Sequence, residues 1–310
     1  MQKNCSSNPN ATLLGDSQNS SSNYRGASDR AIQHHYDAGN EFYRLWLDPT
    51  LTYSSAFWDE NESEDSLETA QLRKLDYYVE QARARGAESV LEIGSGWGAM
   101  AKRLVEVYDV KQVTTLTLSQ AQFDWIQSFK NPQINVRLEN WFDYFPLQPC
   151  DAIVAVGAFE GAARWGLSET EKIEAYRDFF AKCHQCLKPG KWLSMQTIIY
   201  DNATVETVGT FLSEEIFQES EIPHLSEIMK GIQGFFELVT LRNDRAHYEK
   251  TVKIWLKNLR TNRSQAIELV GENTVKRYEK YLSLSAIGFH TGKMNLSRIT
   301  LRRIDCPYFA

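Results

Sequence analysis

The stretch SVLEIGSGWG, Ser89 to Gly98, reads as a short apolar strand that runs directly into a turn with glycine at positions 94, 96 and 98. Glycines at a strand-to-helix turn let the backbone come close to a nucleoside-containing ligand and leave N–H groups to donate to it. The spacing is GxGxG, not the GxGxxG of dinucleotide enzymes. About 20 residues further on, where such enzymes carry an acidic residue for the ribose hydroxyls, the strand end is Leu116-Thr117-Leu118-Ser119. No Lys-Ser or Lys-Thr pair follows the glycines, which excludes a P-loop. Three glycines in five residues cost chain entropy on folding, so the loop points to a bound ligand and not to a plain turn. Glu92 at the strand end can attract a cationic end of that ligand, and Trp97 can pack beside it.

On either side of this turn strands and helices alternate. The pattern predicts helices at 99–107, 119–129 and 168–187, and strands at 112–118, 134–138, 151–156 and 192–199. That rhythm predicts a parallel, doubly wound sheet with right-handed crossovers. Ahead of it, residues 66–85 read as an amphipathic helix with Leu67, Leu72, Leu75, Tyr78 and Val79 on the buried stripe. Residues 29–58 are dense in aromatics, and their helical patterning breaks at Asp48-Pro49. Residues 1–28 are rich in Ser and Asn and read as a mobile tail. Past residue 200 the pattern turns helical around 204–232, then gives a strand at 235–241, two helices across 248–284 and a final strand at 295–304. The expected organisation is a tail (1–28), an N-terminal helical lid (29–85), an α/β core (86–200) and a helical cap with the last strands (201–310).

Of the 310 residues, 24% are charged and 42% hydrophobic, close to the globular average, which excludes wholesale disorder and collagen-like structure. The 34 Lys and Arg against 40 Asp and Glu give a formal net charge of −6. A general nucleic-acid binder is therefore excluded, since neutralising phosphates needs a basic surplus. No run of about 18 apolar residues occurs, and the N-terminus lacks the apolar core of a signal peptide, so a cytoplasmic protein is expected. The charge is uneven: residues 242–303 carry 14 Lys and Arg against 5 Asp and Glu, a net of +9 that leaves −15 for the rest. This fits either solvated helices of varied composition or a basic face for an anionic membrane or an acyl carrier protein. A homo-oligomer is compatible with the sequence. The cysteines at 5, 150, 183, 186 and 306 form no disulfide framework. Cys183 and Cys186 have CxxC spacing but no second ligand pair, so no metal is expected; they read as the last turn of a helix stopped by Lys188-Pro189-Gly190.

An acidic strand end beside GxGxG resembles the S-adenosylmethionine-dependent methyltransferases, and longer motifs narrow the match. HYDAGNEFYRLWLDPTLTYSSAFW (His35 to Trp58), VLEIGSGWG (Val90 to Gly98) and LTLSQAQ (Leu116 to Gln122) resemble the cyclopropane-fatty-acyl-phospholipid synthases and mycolic acid cyclopropane synthases. So do AVGAFE (Ala155 to Glu160), HYEKTVKIWLKNL (His247 to Leu259) and YLSLSAIGF (Tyr281 to Phe289), and the likeness runs from residue 30 to 303. The resemblance implies a class I methyltransferase: a Rossmann-like, doubly wound α/β sheet with an N-terminal helical lid and helical cap insertions. It implies S-adenosyl-L-methionine as cofactor, held by Tyr36, Tyr53 and Ser54 of the lid and by Glu92, Gly94, Ser95, Gly96 and Trp97 of the first loop. Thr117, Leu118 and Gln122 follow the second strand, and Trp141 is placed near the adenine. A sulfonium nucleoside wants hydroxyl and backbone partners for its sugar, flat or aliphatic faces for its adenine, and no nearby lysine.

The resemblance further implies electrophilic methyl transfer to an alkene through a carbocation. The substrate would be an unsaturated acyl chain or a natural-product olefin, and the product a cyclopropane or a methylated chain. Such a site needs an apolar channel, aromatic or anionic groups near the cation, and a positioned base. In the family that base is usually a bound bicarbonate; the resemblance places Glu160, Tyr248 and the backbone of Ser55 and Val156 around it. Three positions depart from the family. Ser55 stands for a cysteine, Gly161 for a histidine, and Gln196 for the histidine on the strand before the cap. Glutamine can donate a hydrogen bond to an anion but carries no charge and relays no proton. The family's FPGG, at the border of the acyl channel, is replaced by Phe217-Gln218-Glu219-Ser220. The catalytic candidates are Glu160, Tyr248 and Gln196. Loss of the histidine equally suits the alternative, an N- or C-methyltransferase of a small metabolite in a biosynthetic pathway.

Overall fold

The computed structural model describes residues 24–28, 38–59, 61, 65–200, 202–203 and 220–304. A short helix α1 (Asn40–Arg44) and a longer α2 (Leu67–Gln81) precede the sheet. The alternating region comprises β1 (Ser89–Ile93), α3 (Ala99–Glu106), β2 (Gln112–Thr117), α4 (Gln120–Gln127) and β3 (Ile134–Leu138). It continues with β4 (Cys150–Val156), α5 (Glu169–Cys186) and β5 (Leu187–Ile199). Then come α6 (Leu225–Gly231), β6 (Phe236–Asn243), α7 (Arg245–Thr261), α8 (Arg263–Val270), α9 (Glu272–Thr291) and β7 (Asn295–Arg303). Serines start three of these helices: Ser66 and Ser119 accept from backbone N–H groups of α2 and α4, and Ser168 forms a capping box with Glu171. Each such cap contributes about 1 kcal/mol. The two helices expected across 248–284 are three, because Gly271, at φ +79°, ends α8 in a conformation that side chains resist.

The strands form one sheet in the order β3-β2-β1-β4-β5-β7-β6. β1 to β5 pair in parallel as the alternation predicts, but β7 runs antiparallel to both of its neighbours. The cause is topological: α7 to α9 leave and return at the same end of the sheet, so Asn243 at the end of β6 pairs with Ser297 near the start of β7. β6 is left as an outer strand with Leu238, Val239 and Leu241 exposed. The strand order reverses between β1 and β4, and open α/β sheets bind ligands outside the strand C-termini at such a switch.

Apolar packing covers both faces. On one, α5 and α6 bury Phe179, Phe180 and Ile228 against β4 and β5. On the other, α2 and α3 bury Leu75, Tyr78, Val79 and Leu104 against Val90 and Val113. Thus α2, assigned by sequence to the lid, packs directly on the sheet. Residues 24–28, assigned to the tail, pack against α5 and the segment after β3: Arg25 pairs with Glu174 and Asp178, Tyr24 meets the rings of Trp141 and Phe142, and Ala27 is fully buried. A third cluster joins α1 to α7 and α9 through Phe42, Tyr43, Trp46, Trp255 and Tyr278.

Part of the basic surplus of 242–303 is paired within the chain. Arg298 is fully buried in β7 and ion-paired with Asp244, which also takes Arg242. Lys253 pairs with Glu249, Arg263 and Lys276 with Glu272, and Arg302 with Glu237. Cys150, Cys183 and Cys186 are free and buried, and desolvation pushes their thiols up, so they act as packing groups.

Candidate active site

A cavity of about 230 Å³ opens at the C-terminal ends of β1, β2, β4 and β5. It gathers nearly all the residues predicted from sequence. Tyr53 and Ser54 enter from the lid, Glu92 from the end of β1, and Gly94, Ser95, Gly96 and Trp97 from the following loop. Thr117, Leu118, Gln122 and Trp141 line one side, and Val156, Glu160, Gln196 and Tyr248 another. Ser55 is the exception: it is fully buried outside the lining and its hydroxyl donates to the Ala56 carbonyl. Tyr36 and Phe217 to Glu219 lie outside the described residues, while Ser220 lines the cavity.

The loop is shaped to receive a ligand. A Cβ on Gly94 (φ +85°) would sit 2.8 Å from the Ala158 Cβ, so only glycine lets the two chains approach. A Cβ on Gly96 would meet nothing within 4 Å, which leaves its backbone bare toward open space. Gln122 is anchored by one end only: its Oε1 accepts from the Thr117 hydroxyl at 2.7 Å, while its Nε2 is buried with no partner. An orphaned buried donor and a bare glycine backbone suit a sugar and a nucleoside edge. Trp97 closes the wall: its Nε1 donates to Asn40 Oδ1 at 2.8 Å and its ring meets Tyr43 at 4.8 Å. Tyr53 and Tyr281 join through their hydroxyls, 3.3 Å apart.

At the other end, the amide orientation of Gln196 is fixed by chemistry. Its Oε1 accepts from Arg298 Nη1 at 3.0 Å and from the Tyr78 hydroxyl at 2.9 Å. A guanidinium only donates, so the oxygen must face it and the amide Nε2 is left for the cavity. Glu160 lies on the helical turn after β4; its Oε1 accepts from the Ile198 N–H at 2.8 Å and its Oε2 is buried without a partner. Burial raises the Glu160 carboxyl, against the Ile198 N–H, which lowers it. Tyr248 stacks on Phe289 with ring centroids 4.4 Å apart.

Among the residues that sequence reasoning missed, three bear on the site's chemistry. Lys74 lines the cavity from α2, so the expectation of no lysine near the ligand is wrong. Its signal was a charge on the buried stripe between Gln71 and Tyr78. Tyr281 and the supporting Arg298 were also passed over, the latter because β7 reads as an ordinary half-exposed strand. Burial raises the Glu92 carboxyl to about 8, opposed by the Thr115 hydroxyl, at 2.6 Å, and by Lys74. The folded protein therefore holds a proton on Glu92 that the unfolded chain, at 4.5, has lost. Stability from this group falls as pH rises across that window. Glu92→Gln is accordingly expected to melt above the parent, by a margin that widens between about pH 5 and pH 8 in calorimetry. A margin constant across that range would show Glu92 ionised in the fold.

Among the described residues no group of His, Cys, Asp and Glu could hold a metal, and no helix is long and apolar enough to cross a membrane. The sequence profile of the mycolic acid cyclopropane synthetase family matches residues 24–299. Cyclopropane mycolic acid synthase 1 of Mycobacterium tuberculosis is 30% identical over 290 residues, 88% of this chain and 96% of that protein. The structure of cyclopropane synthase MmaA2 from Mycobacterium tuberculosis superposes with a TM-score of 0.80 at 30% identity, covering 89% of this chain and 99% of that one. Mycolic acid cyclopropane synthase CmaA1 complexed with SAH and CTAB matches with a TM-score of 0.80, 29% identity and the same 89% and 99% coverage.

Proposed function

This chain belongs to the mycolic acid cyclopropane synthetase family and is an S-adenosylmethionine-dependent methyltransferase; from that premise we propose that it methylates an alkene carbon of an unsaturated acyl chain or a related olefin. When bound, S-adenosylmethionine supplies an electrophilic methyl group. The glycine loop and Gln122 suit its nucleoside, with Tyr53 and Trp97 as flat walls. The olefin's π pair takes the methyl, and the adjacent carbon is left cationic. Tyr248 and Tyr281 face the cavity where such a cation would be stabilised, a desolvated contact of about 2 kcal/mol.

The observation that carries this reading is the unpartnered, buried Oε2 of Glu160. The Glu160 Oε1 takes the Ile198 N–H, and the Thr197 hydroxyl also lowers the carboxyl; Oε2 is then the oxygen that would accept the proton whose loss from the new methyl closes a cyclopropane. Bicarbonate fits this chain poorly. Ser55 does not reach the cavity, Gln196 is neutral, and Arg298 directs its donors to Asp244, Tyr78, Gln196 and the Ala56 carbonyl. No cation is among the groups that shift the Glu160 carboxyl. The proton is therefore assigned to Glu160 itself.

Incubation with methyl-labelled S-adenosylmethionine and three panels tests the proposal: unsaturated phospholipid vesicles, unsaturated acyl carriers and amine metabolites. The expected result is one added methylene mass on an olefinic carbon of the acyl panels, located by fragmentation. Label found only on nitrogen would overturn it, because an amine's ammonium is the other ligand that an unpaired carboxylate accepts.

A further inference from the structure

Residues 24–27 form a short strap beside the turn that carries Glu160, and the chemistry above gives them no task. Two backbone hydrogen bonds attach the strap: the Ala27 N–H donates to the Gly161 carbonyl at 3.0 Å, and the Arg164 N–H donates to the Arg25 carbonyl at 2.9 Å. Gly26 is buried between these bonds, and a Cβ there would meet the Tyr24 hydroxyl and lie 2.6 Å from the Gly161 carbonyl oxygen. A backbone oxygen cannot swing aside as a side-chain end can, so only glycine lets the two segments lie this close. Arg25 fastens the strap to α5, at 2.8 Å from Glu174 and 3.1 Å from Asp178. A second segment pairs with the same stretch, where the Glu221 N–H donates to the Ala163 carbonyl at 2.9 Å. Residues 161–164 are thus held by two segments, each of which puts a side chain into the cavity wall, Tyr24 and Ser220.

We propose that residues 24–27 position the Glu160 carboxylate and keep water from it, with Arg25 as the latch and Gly26 as the point of closest approach. The inference rests on the reading of Glu160 as the base and assigns its burial to a segment outside the α/β core. Burial raises the Glu160 carboxyl, opposed by backbone N–H groups and the Thr197 hydroxyl. Tyr176 of α5 is a titratable group that feels the Glu160 charge, and burial raises its phenol, so it stays neutral where a carboxyl titrates. Lys74 of α2, Glu92 of β1, Glu139 after β3 and Tyr248 of α7 share the cavity, and none is among the groups that shift Glu160.

Gly26→Ala tests the proposal in the full chain by two readouts. Hydrogen–deuterium exchange needs no substrate: peptides covering 159–164 are expected to exchange roughly 10-fold faster, with β1 to β4 unchanged. On an olefin, kcat should fall roughly 10- to 100-fold, and its acid limb should move down toward the ordinary carboxylate range as water reaches the carboxyl. Arg25→Met should raise the exchange and lower kcat by about two- to fivefold, since its ion pairs are partly exposed, and Arg25→Lys should restore both. This second pair of variants decides the matter should Gly26→Ala fail to fold. Unchanged exchange at 159–164 would overturn the proposal. So would faster exchange with the acid limb in its parental place, which would make the strap a structural clasp. A parent that turns over no olefin, with faster exchange in the variant, would overturn Glu160 as the base and leave that same clasp.

Discussion

Glu160→Gln is expected to lower turnover on an olefinic substrate by roughly 100- to 10,000-fold, the range a positioned general base contributes. The substitution keeps the side-chain shape and the acceptor for the Ile198 N–H, and it removes the one oxygen that lacks a partner. Affinity for S-adenosylhomocysteine should stay within about twofold, because the loop and Gln122 are untouched. The pH dependence gives a second, independent readout. A base works deprotonated, and burial holds this carboxyl above its ordinary value, so the acid limb of the parent's kcat should break above the usual carboxylate range. In the variant that limb should vanish. Parent-level turnover in Glu160→Gln would give the proton to another group.

Arg298→Met should cost about 3–5 kcal/mol in urea unfolding, the penalty for removing one partner of a buried pair. Its guanidinium reaches Asp244 Oδ2 at 2.8 Å, the Tyr78 hydroxyl at 2.7 Å, Gln196 Oε1 at 3.0 Å and the Ala56 carbonyl at 2.9 Å. One side chain thus ties β5, β7, α2, the lid and the start of α7. Against its burial, Arg242 and Arg298 hold the Asp244 carboxyl below its ordinary value. The stability from Asp244 is present above the unfolded carboxylate range and is lost as pH falls through the lowered folded value. Asp244→Asn introduced into Arg298→Met should return part of the loss, since in that variant Asp244 keeps only Arg242 of its two arginines. A single-variant cost below about 1 kcal/mol would mean that the network is replaceable by packing.

The sheet and its ligand loop were legible because their causes are local. Apolar runs ending at glycine make β1 and β4, and three glycines announce a backbone that something must approach. Cavity residues such as Thr117, Gln122 and Glu160 were found through motif resemblance, which carries positions without explaining them. What sequence did not reveal depends on long-range placement. NLSRITLRR reads as a half-exposed strand, and nothing local says that it slots between β5 and β6, where its arginine must be buried and paired. Lys74 sits on a stripe otherwise suited to packing, and only the fold shows that this stripe passes under the lid. Gln196 looked like a weakened histidine; the structure shows an amide whose orientation Arg298 dictates.

The outer strand β6 has a bearing on how the protein behaves in concentrated solution. An open sheet edge offers a row of backbone groups that a second chain could extend, the usual start of edge-to-edge aggregation. Here the apolar Leu238, Val239 and Leu241 are bracketed by Glu237 and Arg242, and Glu237 is cross-linked to Arg302 on the neighbouring strand. Charges at both ends of a short apolar run oppose that pairing. Arginines that inflate the basic count of the C-terminal third thus act as gatekeepers against self-association along the sheet, and their contribution is colloidal.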